Sequence, residues 1–295
     1  MKTILMIRLV LVAALANAGE LTYPVVDTGQ IRCYNNTTEI AYPPAGADFF
    51  GQDAYYNGHQ PAYKDNGDGT VTDLNTHLLW TQDPGHKKTF AQAAAGASRC
   101  EVGGYSDWRL PNAKELQSIV DYERCPDVTH SAALDPAFDV TAMTNEAGQE
   151  DYAFYWTSTS HCSVFSAQAA AYVAFGRSPG WMQDRRTGRY TLMDVHGAGS
   201  QRSDPKTGNA SMFPRGRGPQ GDVIRISNLV RCVRGGVAEP RTEGPDIEMK
   251  QSRHSNDGRG MQRSPQGQQG MEPPAQHFTQ FDRHNDGYLS QDEAP

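Results

Sequence analysis

The chain has 295 residues, 37% of them hydrophobic, with 29 glycines and 18 prolines, which suits one or two loop-rich domains and a tail rather than a membrane protein. A net charge of −7 argues against a nucleic-acid binder, yet the charge is unevenly spread: residues 19–176 carry 8 Lys/Arg against 20 Asp/Glu, and residues 177–234 carry 11 against 4. The basic block either packs beside the acidic half of one domain or forms a patch for a sulfated or phosphorylated polyanion.

The N-terminus reads as a signal peptide over 1–18. Lys2 and Arg8 precede an apolar run at 9–15, and Ala16-Asn17-Ala18 supplies the cleavage site. The run is too short to span a bilayer and no cysteine follows to carry a lipid, so the mature chain is expected to be exported and soluble, periplasmic or extracellular. Export permits disulfides among Cys33, Cys100, Cys125, Cys162 and Cys232. Their number is odd, so at least one stays free, pairs between chains or lacks its partner, and no C-x-x-C spacing suggests a zinc or redox site.

Residues 23–30 read as a short strand and turn, and the Pro-, Gly- and aromatic-rich span 43–62 as an irregular cover over a core. Asn35 and Asn36 each begin a glycan acceptor triplet, relevant if the source glycosylates exported chains. The acidic stretch 65–73 suggests a calcium loop, but the register that places Asp68-Gly69 at loop positions five and six puts Lys64 at position one. A hairpin fits better, with strands at 62–63 and 70–72 and a further strand through Leu78-Leu79-Trp80.

Residues 89–100 predict an Ala-rich helix capped by Thr89, with Cys100 just past it. Tyr105, Trp108 and Leu110 then alternate with polar residues as in a strand that Pro111 stops. Asn112 and Glu115 have the spacing of a capping box, and Leu116, Ile119 and Val120 give the next helix an apolar stripe to about residue 122. The span 125–151 reads as a long loop, 155–160 and 171–175 as strands, and 176–180 and 197–221 as loops. Residues 222–234 predict a last strand pair or bent strand, ended by Gly235-Gly236.

Residues 237–275 are charged, Gln/Gly/Pro-rich and nearly free of aromatics, and read as a disordered linker. The segment 276–295 holds the one motif with explicit chemistry, an EF-hand-like calcium loop. Asp282 stands at position one, His284 at three, Asp286 at five, Gly287 at six, Tyr288 with its carbonyl at seven, Ser290 at nine and Glu293 at twelve. Imidazole is a poor ligand for a hard cation, so His284 lowers the expected affinity to the weak extracellular range, ~10⁻⁴–10⁻³ M.

Several of these segments together resemble a known family. Residues 23–30, Gly51-Gln52-Asp53-Ala54, 65–73, Asp107-Trp108-Arg109-Leu110-Pro111 with Glu115-Leu116, Tyr155-Trp156-Thr157-Ser158-Thr159 and 230–234 look like the Lcl C-terminal domain family over about 23–236. The resemblance implies an α+β fold similar to C-type lectins and formylglycine-generating enzymes, with two helices around a twisted antiparallel sheet and many loops. It also implies disulfides joining Cys100 to Cys232 and Cys125 to Cys162. Relatives carry a partner for Cys33 near positions where this chain has Ala41 and Tyr42, which leaves Cys33 as the odd thiol.

The family takes its name from a collagen-like bacterial adhesin that binds sulfated glycans. The resulting expectation is a non-enzymatic, calcium-binding exported protein with domain boundaries 19–236, 237–275 and 276–295. It would present Arg185, Arg186, Arg189, Arg202, Arg215 and Arg217 to an anionic glycan or cell-surface polymer. The alternatives are an enzyme of the formylglycine-generating type and a calcium-ordered docking protein. The first would need a close reactive cysteine pair with a metal, and no Gly-x-Ser-x-Gly, His-Glu-x-x-His or phosphate loop occurs. His161, Cys162 and His196 are better read as ordinary polar residues than as catalytic ones.

Overall fold

A computed structural model of the chain describes residues 25–162 and 167–235. The segments expected to be a signal peptide (1–18), a linker (237–275) and a calcium loop (282–293) lie outside these residues. The described part is rich in sheet, with two helices, and contains no helix long and apolar enough to cross a membrane.

Near the start, β1 (Cys33–Tyr34) and β2 (Glu39–Ile40) pair antiparallel. The hairpin at 65–73 forms as the sequence predicts: β3 (Tyr63–Asp65) pairs with β4 (Thr70–Asp73), and β5 (Leu79–Thr81) adds to β4. The turn's acidic side chains bind its own backbone. Asp65 accepts the Gly67 N–H at 2.8 Å and Asp68 accepts the Thr70 N–H at 3.0 Å, which is turn chemistry rather than cation coordination.

The helix α1 (Phe90–Ala97) begins at Thr89, whose hydroxyl accepts the Gln92 N–H while the Gln92 side chain reaches back to the Thr89 N–H. The helix α2 (Ala113–Gln117) has the predicted box from Asn112 and Glu115, but it ends at Gln117 instead of near 122. Ser118 stops it: its hydroxyl donates to the Glu115 carbonyl at 2.7 Å, and Asp121 then turns away to donate its N–H to Ala133. Leu116, Ile119 and Val120 are buried as the apolar stripe requires.

Three spans read as loops contain strands. The span 125–151 holds β6 (Ala142–Thr144), which pairs with β7 (Glu150–Tyr152). After β8 (Phe154–His161) and β9 (Ala169–Ala174), a second hairpin joins β10 (Pro179–Gln183) to β11 (Tyr190–Asp194). The span 197–221 holds β12 (Gln201–Pro205), which pairs with β9. β7 and β12 carry mostly polar residues, and β6, β10 and β11 mix apolar and polar ones without strict alternation, so the pattern that marks a half-buried strand is missing from them.

The span 222–234 is not one continuous strand, because Ile226 has a φ of 61° and breaks the extended run. Only β13 (Val233–Arg234) is regular, and it pairs with β5 to complete the sheet order β13-β5-β4-β3 beside a second sheet ordered β12-β9-β8. Leu229 ties the two sheets together: its N–H donates to Phe154 at 2.9 Å and its carbonyl accepts from Trp156 at 3.0 Å.

The core forms against both sheets. Val71, Trp80, Leu116, Ile119 and Val233 pack in one cluster, and Ala93, Trp108, Phe154, Trp156 and Tyr172 in another. Arg231 sits wholly buried in it, donating to the Thr81 carbonyl at 2.7 Å, to the Gln82 carbonyl, and to the Asp139 carbonyl at 2.7 Å. Burial pushes its pKa down, against the pull of the Tyr155 hydroxyl and of Asp139 and Asp83; backbone oxygens and the faces of Phe138 and Tyr155 also meet the charge. The arginine thereby fastens the end of the domain to two of its loops.

Candidate functional site

The ion pairs divide the basic block into two sets. Arg177 pairs with Asp127, Arg225 with Glu146 and Arg234 with Asp107, so three of its cations meet carboxylates of the acidic half. Arg202 pairs with Asp222 inside the basic block. Among the described residues Arg185, Arg186, Arg189, Arg215 and Arg217 form no ion pair, and all five are exposed. Packing beside the acidic half therefore accounts for Arg177, Arg225 and Arg234, and leaves these five exposed arginines without carboxylate partners.

The unpaired set is carried by the β10–β11 hairpin and the loop packed on it. Arg185, Arg186 and Arg189 occupy the hairpin turn, where Asp184 accepts the Arg186 N–H at 2.8 Å and the Thr187 N–H at 3.1 Å. The register pairs Trp181 with Leu192 and Gln183 with Tyr190, so Trp181 and Tyr190 share one face of the hairpin. Arg215 lies over both rings, its guanidinium carbon 5.1 Å from each centroid. Two exposed cation–π contacts of this kind contribute about 0.5–1 kcal/mol each.

The loop can lie so close because three positions lack a side chain. A Cβ on Gly180 would meet the Gln220 carbonyl oxygen at 2.3 Å, one on Gly216 the Gly221 oxygen at 2.0 Å, and one on Gly221 the Trp181 oxygen at 2.5 Å. Gly216 and Gly221 also have positive φ. With the backbones in contact, Trp181 donates its N–H to Gly221 at 2.8 Å, and Arg217 and Asp222 exchange two backbone hydrogen bonds.

Beyond this contact, Arg217 and Arg202 line a cavity of about 330 Å³ with His161 and Ser203. His161 Nδ1 lies 2.7 Å from Ser203 Oγ, and His196 Nε2 lies 2.9 Å from Asp222 Oδ1. Burial pushes the Asp222 carboxyl up, but Arg202 and His196 pull it further down, and it ends below the usual range. Asp222 therefore stays ionised and neutralises Arg202, leaving Arg217 as the unpaired cation of the cavity.

The predicted arginines are thus brought together as a hairpin group and a cavity group linked by one loop. Trp181 and Tyr190 are not foreseen from the sequence, which assigns a loop to 176–180 and no element to 181–196. The available signal was the pairing of Trp181-x-Gln183 with Tyr190-x-Leu192 across a polar turn containing Gly188.

All five cysteines are thiols in this structure. Cys100 and Cys232 lie within hydrogen-bonding reach, and burial together with that neighbour pushes the Cys232 thiol up to about 12. Cys125 lies near the Tyr34 ring, Cys162 is exposed at the end of β8, and Cys33 is buried. No cluster of three or more His, Cys, Asp or Glu side chains among the described residues could hold a metal ion. The residues expected from the sequence to ligate calcium, Asp282, His284, Asp286, Tyr288, Ser290 and Glu293, lie outside them.

The Trp108-Arg109-Leu110-Pro111 corner lies between the two helices, within the run of paired strands from β4 to β11. Residues 69–195 match the Lcl C-terminal domain family. The match is narrower than the span of 23–236 that the motifs suggest, and it leaves Arg202, Arg215 and Arg217 beyond its end. Nothing among curated proteins or solved structures matches the chain. Within the Lcl C-terminal match lie the corner, both helices and the hairpin with Trp181 and Tyr190.

Proposed function

We propose that the chain is an exported, non-enzymatic binding protein. Its domain grips anionic glycans or cell-surface polymers through the β10–β11 hairpin and its overlying loop. The observation that carries this reading is the set of five unpaired arginines gathered there, with Arg215 stacked on Trp181 and Tyr190. Five exposed cations without carboxylate partners make a locally positive surface on a protein of net charge −7, and a polyanion would pair with them. The aromatic faces add a surface for the apolar side of sugar rings.

The family match supports the same reading, as does the polar lining of the cavity beside Arg217. A fold of the C-type lectin type, export through the 1–18 leader, a Cys100–Cys232 disulfide and weak calcium binding at 282–293 belong to the proposal as well. Retention of the full chain on heparin resin tests it. Binding at low salt that is lost at modest salt, and lost in the Arg185→Ala/Arg186→Ala/Arg189→Ala variant, is the expected result; no retention at low salt rejects it. Calcium titration followed by calorimetry tests the tail loop separately, and no heat at millimolar calcium would count against it.

A further inference from the structure

A second place on the domain combines a strained residue with an unsatisfied cation. Ile226 is β-branched, yet it is held at a φ of 61°, a conformation such residues adopt only where their surroundings impose it. Asp204, wholly buried on β12, imposes it. Its Oδ2 accepts the N–H groups of Arg225 and Ile226, each at 3.2 Å, and the Asn228 side-chain amide at 3.0 Å.

The turn fixed in this way drives Arg225 inward. Its guanidinium carbon lies 3.9 Å from the centre of the Phe154 ring, and Glu146 accepts from Nε at 2.9 Å and Nη2 at 3.0 Å. Nη1 is buried without a hydrogen-bond partner among the described residues. Arg225 lines a cavity of about 480 Å³, within the size range of small-molecule sites.

Lys87 lines the same cavity. Its one side-chain hydrogen bond among the described residues is to Met143 Sδ, at 3.4 Å. Partial desolvation and then the like charge of Arg225 push its pKa down, against the pull of Glu146. Among the described residues that line the cavity, Glu146 is the one carboxylate, so there two cations face a single anion, with the buried Asp204 carboxylate behind Arg225. Trp181 and Phe213 add aromatic walls, and Thr144 and Ser227 add hydroxyls that no other described group engages.

We propose that this cavity binds a uronate, a sugar acid whose carboxylate answers the uncompensated charge of Lys87 and Arg225. The sugar ring would lie against Trp181, with its hydroxyls toward Thr144 and Ser227. One excess positive charge in the lining calls for one negative charge, and a carboxylate is the group to which this guanidinium already donates at Glu146. The aromatic wall and the free hydroxyls select a sugar acid over a plain alkyl acid. The site adjoins the arginine hairpin and shares Trp181 with it, but none of Arg185, Arg186, Arg189 and Arg217 lines it.

Isothermal titration of the full chain with glucuronate, glucose, glucose 6-sulfate and a uronate tetramer tests the proposal. Glucuronate should bind at least about tenfold more tightly than glucose, since only the acid meets the excess charge. Lys87→Gln should weaken glucuronate about tenfold and Glu146→Gln should tighten it, opposite signs that a merely structural role would not give. Binding of the tetramer as tightly as the monomer identifies polymer ends as the source; binding of the monomer alone identifies a free sugar acid. Equal responses to glucuronate and glucose, tighter binding of glucose 6-sulfate, or affinity unmoved by both variants overturns it. Lys87→Gln should leave retention on dextran sulfate resin intact, and failure of the wild type to bind that resin would sink the hairpin reading while leaving this one standing.

Discussion

Arg109 and Glu115 form a two-pronged ion pair across the Trp108-Arg109-Leu110-Pro111 corner: Nη1 meets Oε2 at 2.8 Å and Nη2 meets Oε1 at 2.7 Å. The same Oε2 accepts the Asn112 N–H at 2.8 Å, so one carboxylate caps α2 and holds the preceding extended segment. Arg109 also exchanges backbone hydrogen bonds with Val233, both at 3.0 Å, which joins the corner to the last strand.

That double role makes Glu115 a sensitive position. It is 6% exposed, so Glu115→Ala removes a cap and takes the two-pronged carboxylate away from Arg109, which keeps its contacts with the Leu110 and Gly235 carbonyls. A loss of about 2–4 kcal/mol is expected in urea denaturation. A loss below about 0.5 kcal/mol would be the size of an ordinary surface substitution and would contradict the assignment.

How much of this was legible in the sequence depended on whether the signal was local. The cap residues Thr89, Asn112 and Glu115 and the hairpin at 65–73 rest on side chains that bond within a few residues, and each is found where the spacing put it. The strand β12 was missed because its inward residue is Asp204, whose burial is stabilised by partners more than twenty residues away. The arginine patch was visible as composition. Which arginines are unpaired was not, since the carboxylates that neutralise Arg177, Arg225 and Arg234 come from the opposite half of the chain.

The hairpin site depends on the backbone contact at Gly180. Gly180→Ala forces a Cβ against the Gln220 carbonyl and should shift the loop that carries Arg215. The domain should remain folded, since the contact lies outside both core clusters. Retention on heparin resin should fall, and the Trp181 indole resonance should move in an NMR spectrum. Unchanged retention with a displaced loop would show that Arg215 takes no part.

The clamp between Glu146 and Arg225 sets an acid limit. Burial pushes the Glu146 carboxyl up, but the hydrogen bonds and charge of Arg225 pull it further, to below its ordinary value. A depressed carboxylate contributes stability that is complete above its unfolded pKa and lost as pH falls through the folded one. The urea midpoint should therefore drop below the ordinary glutamate range, and Glu146→Gln should flatten part of that drop. Parallel pH curves for the two proteins would contradict the clamp.

The cysteines make a chemical prediction. A non-reducing peptide map should link Cys100 to Cys232, which face each other in the core. After reduction, alkylation near pH ~8 should label exposed Cys162 first and spare Cys232, whose thiol is pushed up to about 12. Rapid labelling of Cys232 in the folded, reduced protein would contradict the burial that raises it.

The most direct measurement of the central claim is an NMR titration of the full chain with a sulfated oligosaccharide of defined length. Trp80 and Trp156 are fully buried and Trp108 is 3% exposed, so the half-buried indole of Trp181 is the one placed to respond. The predicted result is a saturating shift of the Trp181 indole together with the backbone amides of Arg185, Arg186 and Arg189, abolished by Ala at those three arginines. Shifts that spare this hairpin, or that survive the triple substitution, would contradict the account.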